Sequence, residues 1–147
     1  MSTEEIGEPP RSAVFGNGRR PSALPGQGGL GRIVDSALNS ARGIRAGLRT
    51  EAAIQQEFAI AAILLPLSFV VASSAWTWMA LVGSLFFVFV VEFLNTAVER
   101  LCNHVTPERH EAIRVTKDLA SAAVFFALLT AGLVWIVAAL TRFGLLS

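Results

Sequence analysis

The sequence predicts an all-α membrane protein, with three transmembrane helices preceded by an amphipathic surface helix. Three observations predict it. Apolar side chains make up 53% of the 147 residues, and the mean hydropathy of +0.56 exceeds that of an ordinary soluble domain of this size. No Asp, Glu, Lys or Arg occurs from Phe58 to Val91 or from Leu119 to Thr141, which gives uninterrupted stretches long enough to cross a bilayer. The basic residues are distributed unevenly around those stretches. A soluble enzyme is therefore not expected, and with 12 basic against 11 acidic side chains no charged block points to a nucleic-acid partner.

Residues 1–29 read as a disordered tail, because glycine and proline crowd this part of the chain and leave too little apolar surface to offset the entropy of ordering it. The segment has no continuous apolar core, so no cleavable secretory signal is expected. Residues 30–147 form the membrane domain. Over residues 31–52, Val34, Leu38, Ala41 and Leu48 recur at helical spacing, with Arg32, Arg42, Arg45 and Arg49 mostly to one side. Such a helix suits the headgroup layer of a membrane, and equally a seat on the protein itself.

The apolar stretch 58–91 is too long for one span and suits two short ones. Ser73 and Ser74 mark the turn, and Trp76 and Trp78 beside it favour a membrane interface. The spans are expected near 57–72 and 77–101, with Pro66 inside the first, and a third over 119–141, roughly 34 Å of helix. All Lys and Arg except Arg142 precede the first span or lie between the second and third. By the positive-inside rule the N-terminus and the 102–117 loop are cytoplasmic, and the C-terminus lies on the far side. The single cysteine, Cys102, excludes an intramolecular disulfide, and with His104 alone beside it makes no zinc site.

Chemistry concentrates on the second span. Glu92 follows thirteen uncharged residues, Met79 to Val91, so its carboxylate is costly to ionise and is a functional candidate by position. Asn95, Thr96 and Glu99 follow at i+3, i+4 and i+7 and share its helix face. Interhelical hydrogen bonding would account for Asn95 and Thr96, but not for two glutamates one heptad apart. Glu51 and Glu57 bracket the start of the first span, and Lys117 and Asp118 start the third, with Ser121 just beyond. Anchoring at the interface accounts for Lys117 and Arg100. The excess of carboxylates instead suggests a Mg²⁺ site completed by substrate phosphates. No Walker-type phosphate loop and no His-Arg-Asp catalytic loop is present.

The run Val91-Glu92-Phe93-Leu94-Asn95-Thr96-Ala97-Val98-Glu99, followed by Lys117-Asp118-Leu119-Ala120-Ser121-Ala122-Ala123-Val124, resembles the signature of the small integral-membrane diacylglycerol kinases of bacteria. Glu51-Ala52-Ala53 and Gln56-Glu57 match that family upstream, and the resemblance spans roughly residues 29–144. It implies a homotrimer in the inner membrane, with ATP as co-substrate, Mg²⁺ as cofactor, and diacylglycerol converted to phosphatidic acid. By the same resemblance Glu92 is the general base, and Glu51 and Glu99 hold Mg²⁺ and ATP. Further nucleotide contacts are implied for Arg32, Glu108, Arg109, His110, Lys117 and Asp118, and lipid contacts for Arg32, Ser36, Glu92 and Ser121, with Asn95 and Glu57 in support. The chain departs from the family pattern at Asn39, where an aromatic residue is usual, at Asp35, where a base is usual, and in the extension over residues 1–25.

Three other readings compete. Related small kinases phosphorylate undecaprenol, and nothing in the apolar spans reads lipid identity. A proton- or cation-coupled carrier would place polar groups near the bilayer midplane, whereas here they cluster at one end of each span. A scaffold subunit would have no use for a Glu92 and Glu99 pair.

Overall fold

A computed structural model describes residues 31–105 and 110–146, together with the backbone alone of Leu30. The expected tail of residues 1–29 and the loop residues Glu108 and Arg109 lie outside the described residues. Four helices follow in order: α1 (Leu30–Thr50), α2 (Ala52–Val71), α3 (Ala75–Val105) and α4 (Glu111–Arg142). The last three are long and apolar enough to cross a membrane, in agreement with the all-helical membrane class read from the sequence. Two compact units divide the chain after Leu38, within α1. In the first, Arg32, Asp35 and Ser36 are exposed, as are Ile33, Val34 and Leu38.

The second unit begins at Asn39. Its portion of α1 is exposed until Ala46, and there the helix meets its neighbours, with Gly47 buried. A Cβ at position 47 would stand 2.7 Å from Ile54 Cδ1 and 2.9 Å from Phe93 Cε1, so only glycine permits this approach of α1 to α2 and α3. Glu51 separates α1 from α2, with an extended backbone (φ −114°, ψ 114°) as the residue before the second helix. The Gln55 amide donates to the Leu48 carbonyl at 3.0 Å, satisfying one of the acceptors that the end of α1 leaves open.

Each helix outruns the apolar window that predicts its span. Helix α2 starts at Ala52 rather than near 57, because Glu51 already breaks the preceding helix; α1 accordingly ends at Thr50 and not at 52. Helix α4 starts at Glu111, well before the charge-free stretch, where the His110 ring accepts from the Ala112 amide and caps the helix. Between α2 and α3 the turn falls at Ser73 and Ser74, and the Ser74 hydroxyl accepts from the Thr77 amide at 3.1 Å. Trp76 beside it is exposed, whereas Trp78 is half-buried and packs on Phe69. At the end of α4, Gly144 takes φ +71°, which closes the helix in the left-handed conformation that glycine adopts without a Cβ penalty.

The helices pack antiparallel in sequence order. On α3 and α4, Leu81 meets Ala138 in one cluster with Val71 of α2, and Val88 meets Ala127 and Ala131 in another. The small side chains of α4 thus bring its backbone close to α3. Aromatic pairs join α2 to α3, with ring centroids 4.5 Å apart for Phe58 and Phe89. Hydroxyls inside the apolar helices bond to their own backbone, Ser68 to the Leu65 carbonyl and Ser84 to that of Leu81, so none of these groups enters the apolar layer unsatisfied. Long faces carrying Ile60, Ile63, Phe125, Phe126 and Leu133 remain exposed, as a lipid environment allows.

Candidate active site

Polar groups collect where the end of α1, the start of α2 and the lower half of α3 meet. Glu92 lies on α3 with only 5% of its surface exposed, so its carboxylate is turned into the protein and not toward lipid. One and two turns further along, Asn95, Thr96 and Glu99 are half-buried on the same helix, whereas Leu94 is exposed. The heptad spacing has put the polar side chains on the inner face. Phe93, next to Glu92, closes over Gly47.

Four carboxylates share this region. Glu92 feels the negative charges of Glu99 and Glu51, and Glu57 of α2 feels that of Glu92. One Glu57 oxygen, Oε2, and the Asn95 Oδ1 are buried with no hydrogen-bond partner in the described structure. Buried acceptors without donors are costly. They suit a site that is completed by a ligand bearing donors or positive charge.

A cation is supplied to one carboxylate by Arg100, which reaches from α3 to Glu51. Its Nη2 lies 2.6 Å and its Nε 3.1 Å from Glu51 Oε1, and the Thr50 hydroxyl donates to the same oxygen at 3.1 Å. Arg100 also bonds the Thr50 hydroxyl. The guanidinium, and after it the Thr50 hydroxyl, holds the Glu51 carboxyl below the usual carboxylate range. Position 100 carries only an anchoring role in the sequence reading; the residue instead joins the α1–α2 junction to α3. Its partner lies 49 positions away in the chain, a separation that no local pattern reveals.

At the neighbouring helix ends, Lys117 Nζ donates to Asn103 Oδ1 at 2.7 Å, tying α4 to α3. Asp118 pairs with Arg114 at 2.5 Å, and Arg114 with Glu111 at 2.6 Å. Asn103 and Arg114 are further residues that the sequence motifs do not single out. Ser121 is exposed on α4, and His110 is exposed at its cap. The structure therefore gathers Glu51, Glu57, Glu92, Asn95 and Glu99, places Lys117 and Asp118 at the start of α4, and leaves Arg32 and Ser36 in the separate first unit.

No cluster of three or more His, Cys, Asp or Glu with metal-holding geometry occurs among the described residues. Magnesium, however, binds through one or two carboxylates, its remaining positions being taken by water and phosphate. Glu51 and Glu99, both within electrostatic reach of Glu92, are the carboxylates that would hold such an ion.

Beneath the carboxylates opens an apolar cleft of about 760 Å³, bordered by Ile44, Phe58, Leu65, Phe89 and Phe93. Comparison with known proteins adds the following. The profile of the prokaryotic diacylglycerol kinases matches residues 38–139. A diacylglycerol kinase of Haemophilus influenzae is 35% identical over 107 residues, covering 73% of this chain and 91% of that protein. One from Escherichia coli is 33% identical over 116 residues, 79% of this chain and 95% of its own. An undecaprenol kinase of Bacillus subtilis is 34% identical over 95 residues, 65% of this chain and 77% of its own.

Proposed function

The chain belongs to the prokaryotic diacylglycerol kinase family, and from that premise we propose that it moves the γ-phosphoryl group of ATP to the free hydroxyl of diacylglycerol, yielding phosphatidic acid and ADP. It is a lipid kinase of the bacterial inner membrane, multi-pass by its three apolar helices. The reaction takes place at the cytoplasmic interface, with the N-terminus on that side and the C-terminus outside.

The observation that carries the assignment of roles is the burial of Glu92 beside more accessible carboxylates. A carboxylate in an apolar enclosure is poorly solvated and therefore gains from taking a proton. Glu92 accepts the proton of the lipid hydroxyl as its oxygen forms a bond to the γ-phosphorus, while the bond from that phosphorus to the bridging oxygen of ADP breaks. Glu51 and Glu99 would hold Mg²⁺ with the nucleotide, where it would supply positive charge against that of the transferring group. Lys117, Asp118 and His110, with Glu108, Arg109 and Arg32, contact the nucleotide. Arg32, Ser36 and Ser121 meet the lipid headgroup, and the apolar cleft below Glu92 accommodates acyl chain. Glu57 and Asn95 hold Glu92 and the incoming groups in register.

The likeness to an undecaprenol kinase supports a second acceptor, since a polyprenol presents the same hydroxyl on an apolar tail. Purified protein in mixed micelles, given labelled ATP and each lipid in turn, separates the two. Faster phosphorylation of diacylglycerol supports the first reading; a strong preference for the polyprenol replaces it with the second, and failure with both refutes the kinase assignment. The active species is a homotrimer in which complete sites form where subunits meet, Lys117 of one subunit serving the site around Glu92 of another.

A further inference from the structure

We propose that Arg100 is a placeholder cation, whose guanidinium occupies one oxygen of the Glu51 carboxylate and competes with a divalent metal for that carboxylate. The inference rests on the reading of Glu51 as a metal ligand. It concerns how that ligand is kept when no metal is present.

The geometry supplies the reasons. Two guanidinium nitrogens converge on Glu51 Oε1, Arg100 Nη2 at 2.6 Å and Nε at 3.1 Å, and the Thr50 hydroxyl, whose single proton is divided between this oxygen at 3.1 Å and the Ala46 carbonyl at 3.0 Å, lies beside them. That oxygen is obstructed, so a metal is left with monodentate approach to Oε2, and a dication brought there beside the guanidinium is repelled by it. Arg100 is also free to withdraw, because 49% of its side chain is exposed and its aliphatic stem can swing outward from α3. Its partners flank the break between α1 and α2, where Glu51 has extended backbone and no side-chain bond to its own helix start. The guanidinium therefore does for Glu51 what the metal would otherwise do: it neutralises the carboxylate and fixes its direction. Without it, Glu51 would stand uncompensated within electrostatic reach of Glu92.

Metal affinity is then a competition, and its size follows from the strength of an exposed pair. Such pairs are weak. Removing the competitor should tighten metal binding by about two- to five-fold, and more at low salt than at high.

The test compares the full-length wild type with Arg100→Ala and Arg100→Lys in lipid–detergent micelles. Mn²⁺ binding is read by electron paramagnetic resonance without nucleotide, and the half-saturating Mg²⁺ concentration is read from lipid phosphorylation. Arg100→Ala should lower both constants about two- to five-fold, with Arg100→Lys falling between. Unchanged or weaker Mn²⁺ binding by Arg100→Ala overturns the proposal. Glu51→Gln distinguishes the two levels. If it weakens Mn²⁺ binding while Arg100→Ala does nothing, only the placeholder role fails; if it binds Mn²⁺ as the wild type does, Glu51 is not a metal ligand and the reading beneath fails as well. In the double variant Glu51→Gln/Arg100→Ala, loss of Arg100 should no longer matter.

Discussion

A methyl group added at Gly47 should damage the site more than the same change one turn earlier, at Gly43. The Cβ at position 47 would lie 2.7 Å from Ile54 Cδ1 and 2.9 Å from Phe93 Cε1, against a normal carbon–carbon contact of about 3.5–4.0 Å. Each neighbour must retreat by roughly 1 Å. Ile54 is wholly buried and has little room, so the Phe93 ring takes most of the shift and pulls on the backbone that carries Glu92. Overpacking of this kind costs about 1–3 kcal/mol, and the better helix propensity of alanine returns about 1 kcal/mol. Gly47→Ala is thus expected to destabilise by about 0–2 kcal/mol. At Gly43 nothing lies within 4 Å of the added Cβ, so Gly43→Ala keeps the full gain of about 1 kcal/mol. Reversible unfolding in mixed micelles, driven by a denaturing detergent, measures both. The folded Gly47→Ala protein should also lose about ten-fold or more in kcat, because a displacement of about 1 Å at a reacting group can cost as much as 10²-fold. Equal stabilisation by the two substitutions, with turnover intact, would show that α1 does not press on α2 and α3 as described.

Glu92→Gln should insert and fold normally while losing about 10²-fold or more in phosphoryl transfer; near-normal turnover of the purified variant removes Glu92 from the role of base. Glu51→Gln and Glu99→Gln should each raise the Mg²⁺ requirement far more than the lipid KM, and an unchanged Mg²⁺ titration in both takes them out of the metal site. The pair between Glu51 and Arg100 stabilises the fold above the ordinary carboxylate value and loses that contribution as pH falls through the lowered value of Glu51. The stability difference between wild type and Arg100→Ala should accordingly shrink below about pH 4.5; a difference that grows on acidification contradicts the pairing. Mixing inactive Glu92→Gln subunits with inactive Lys117→Ala subunits should restore part of the activity if the two residues reach one site from different chains, whereas mixed trimers that form and stay dead refute the shared site.

The three apolar helices and the inner face of α3 were open to reading from the sequence, because both depend on local periodicity. A gap in charge announces a span, and Glu92, Asn95, Thr96 and Glu99 fall on one side of any helix that contains them. Helix ends were not, since they are set by caps: His110 starts α4 in a polar stretch that hydropathy ignores, and Glu51 ends the surface helix at 50 and starts the first span at 52, ahead of the 57 that hydropathy suggests. Contacts that join helices across the chain stayed hidden for a related reason. Lys117 with Asn103, Arg100 with Glu51, and Gly47 with Phe93 depend on which helix faces lie together. A Gly43-x-x-x-Gly47 spacing hinted at close packing for the last of these, but named no partner.

At the opposite end of the bundle from the carboxylates, Arg142 closes the last turn of α4 and its Nε donates to the Val70 carbonyl at 3.1 Å. That carbonyl belongs to the end of α2, where a helix has no amide of its own left to offer. During synthesis α2 and α3 leave the ribosome first, so this acceptor waits for a donor encoded more than seventy residues later. The final helix brings the fastening with it. Arrival of α4 and closure of that end of the bundle are thereby one event, and a chain cut short before Arg142 would reach the membrane with its first hairpin inserted but unlatched.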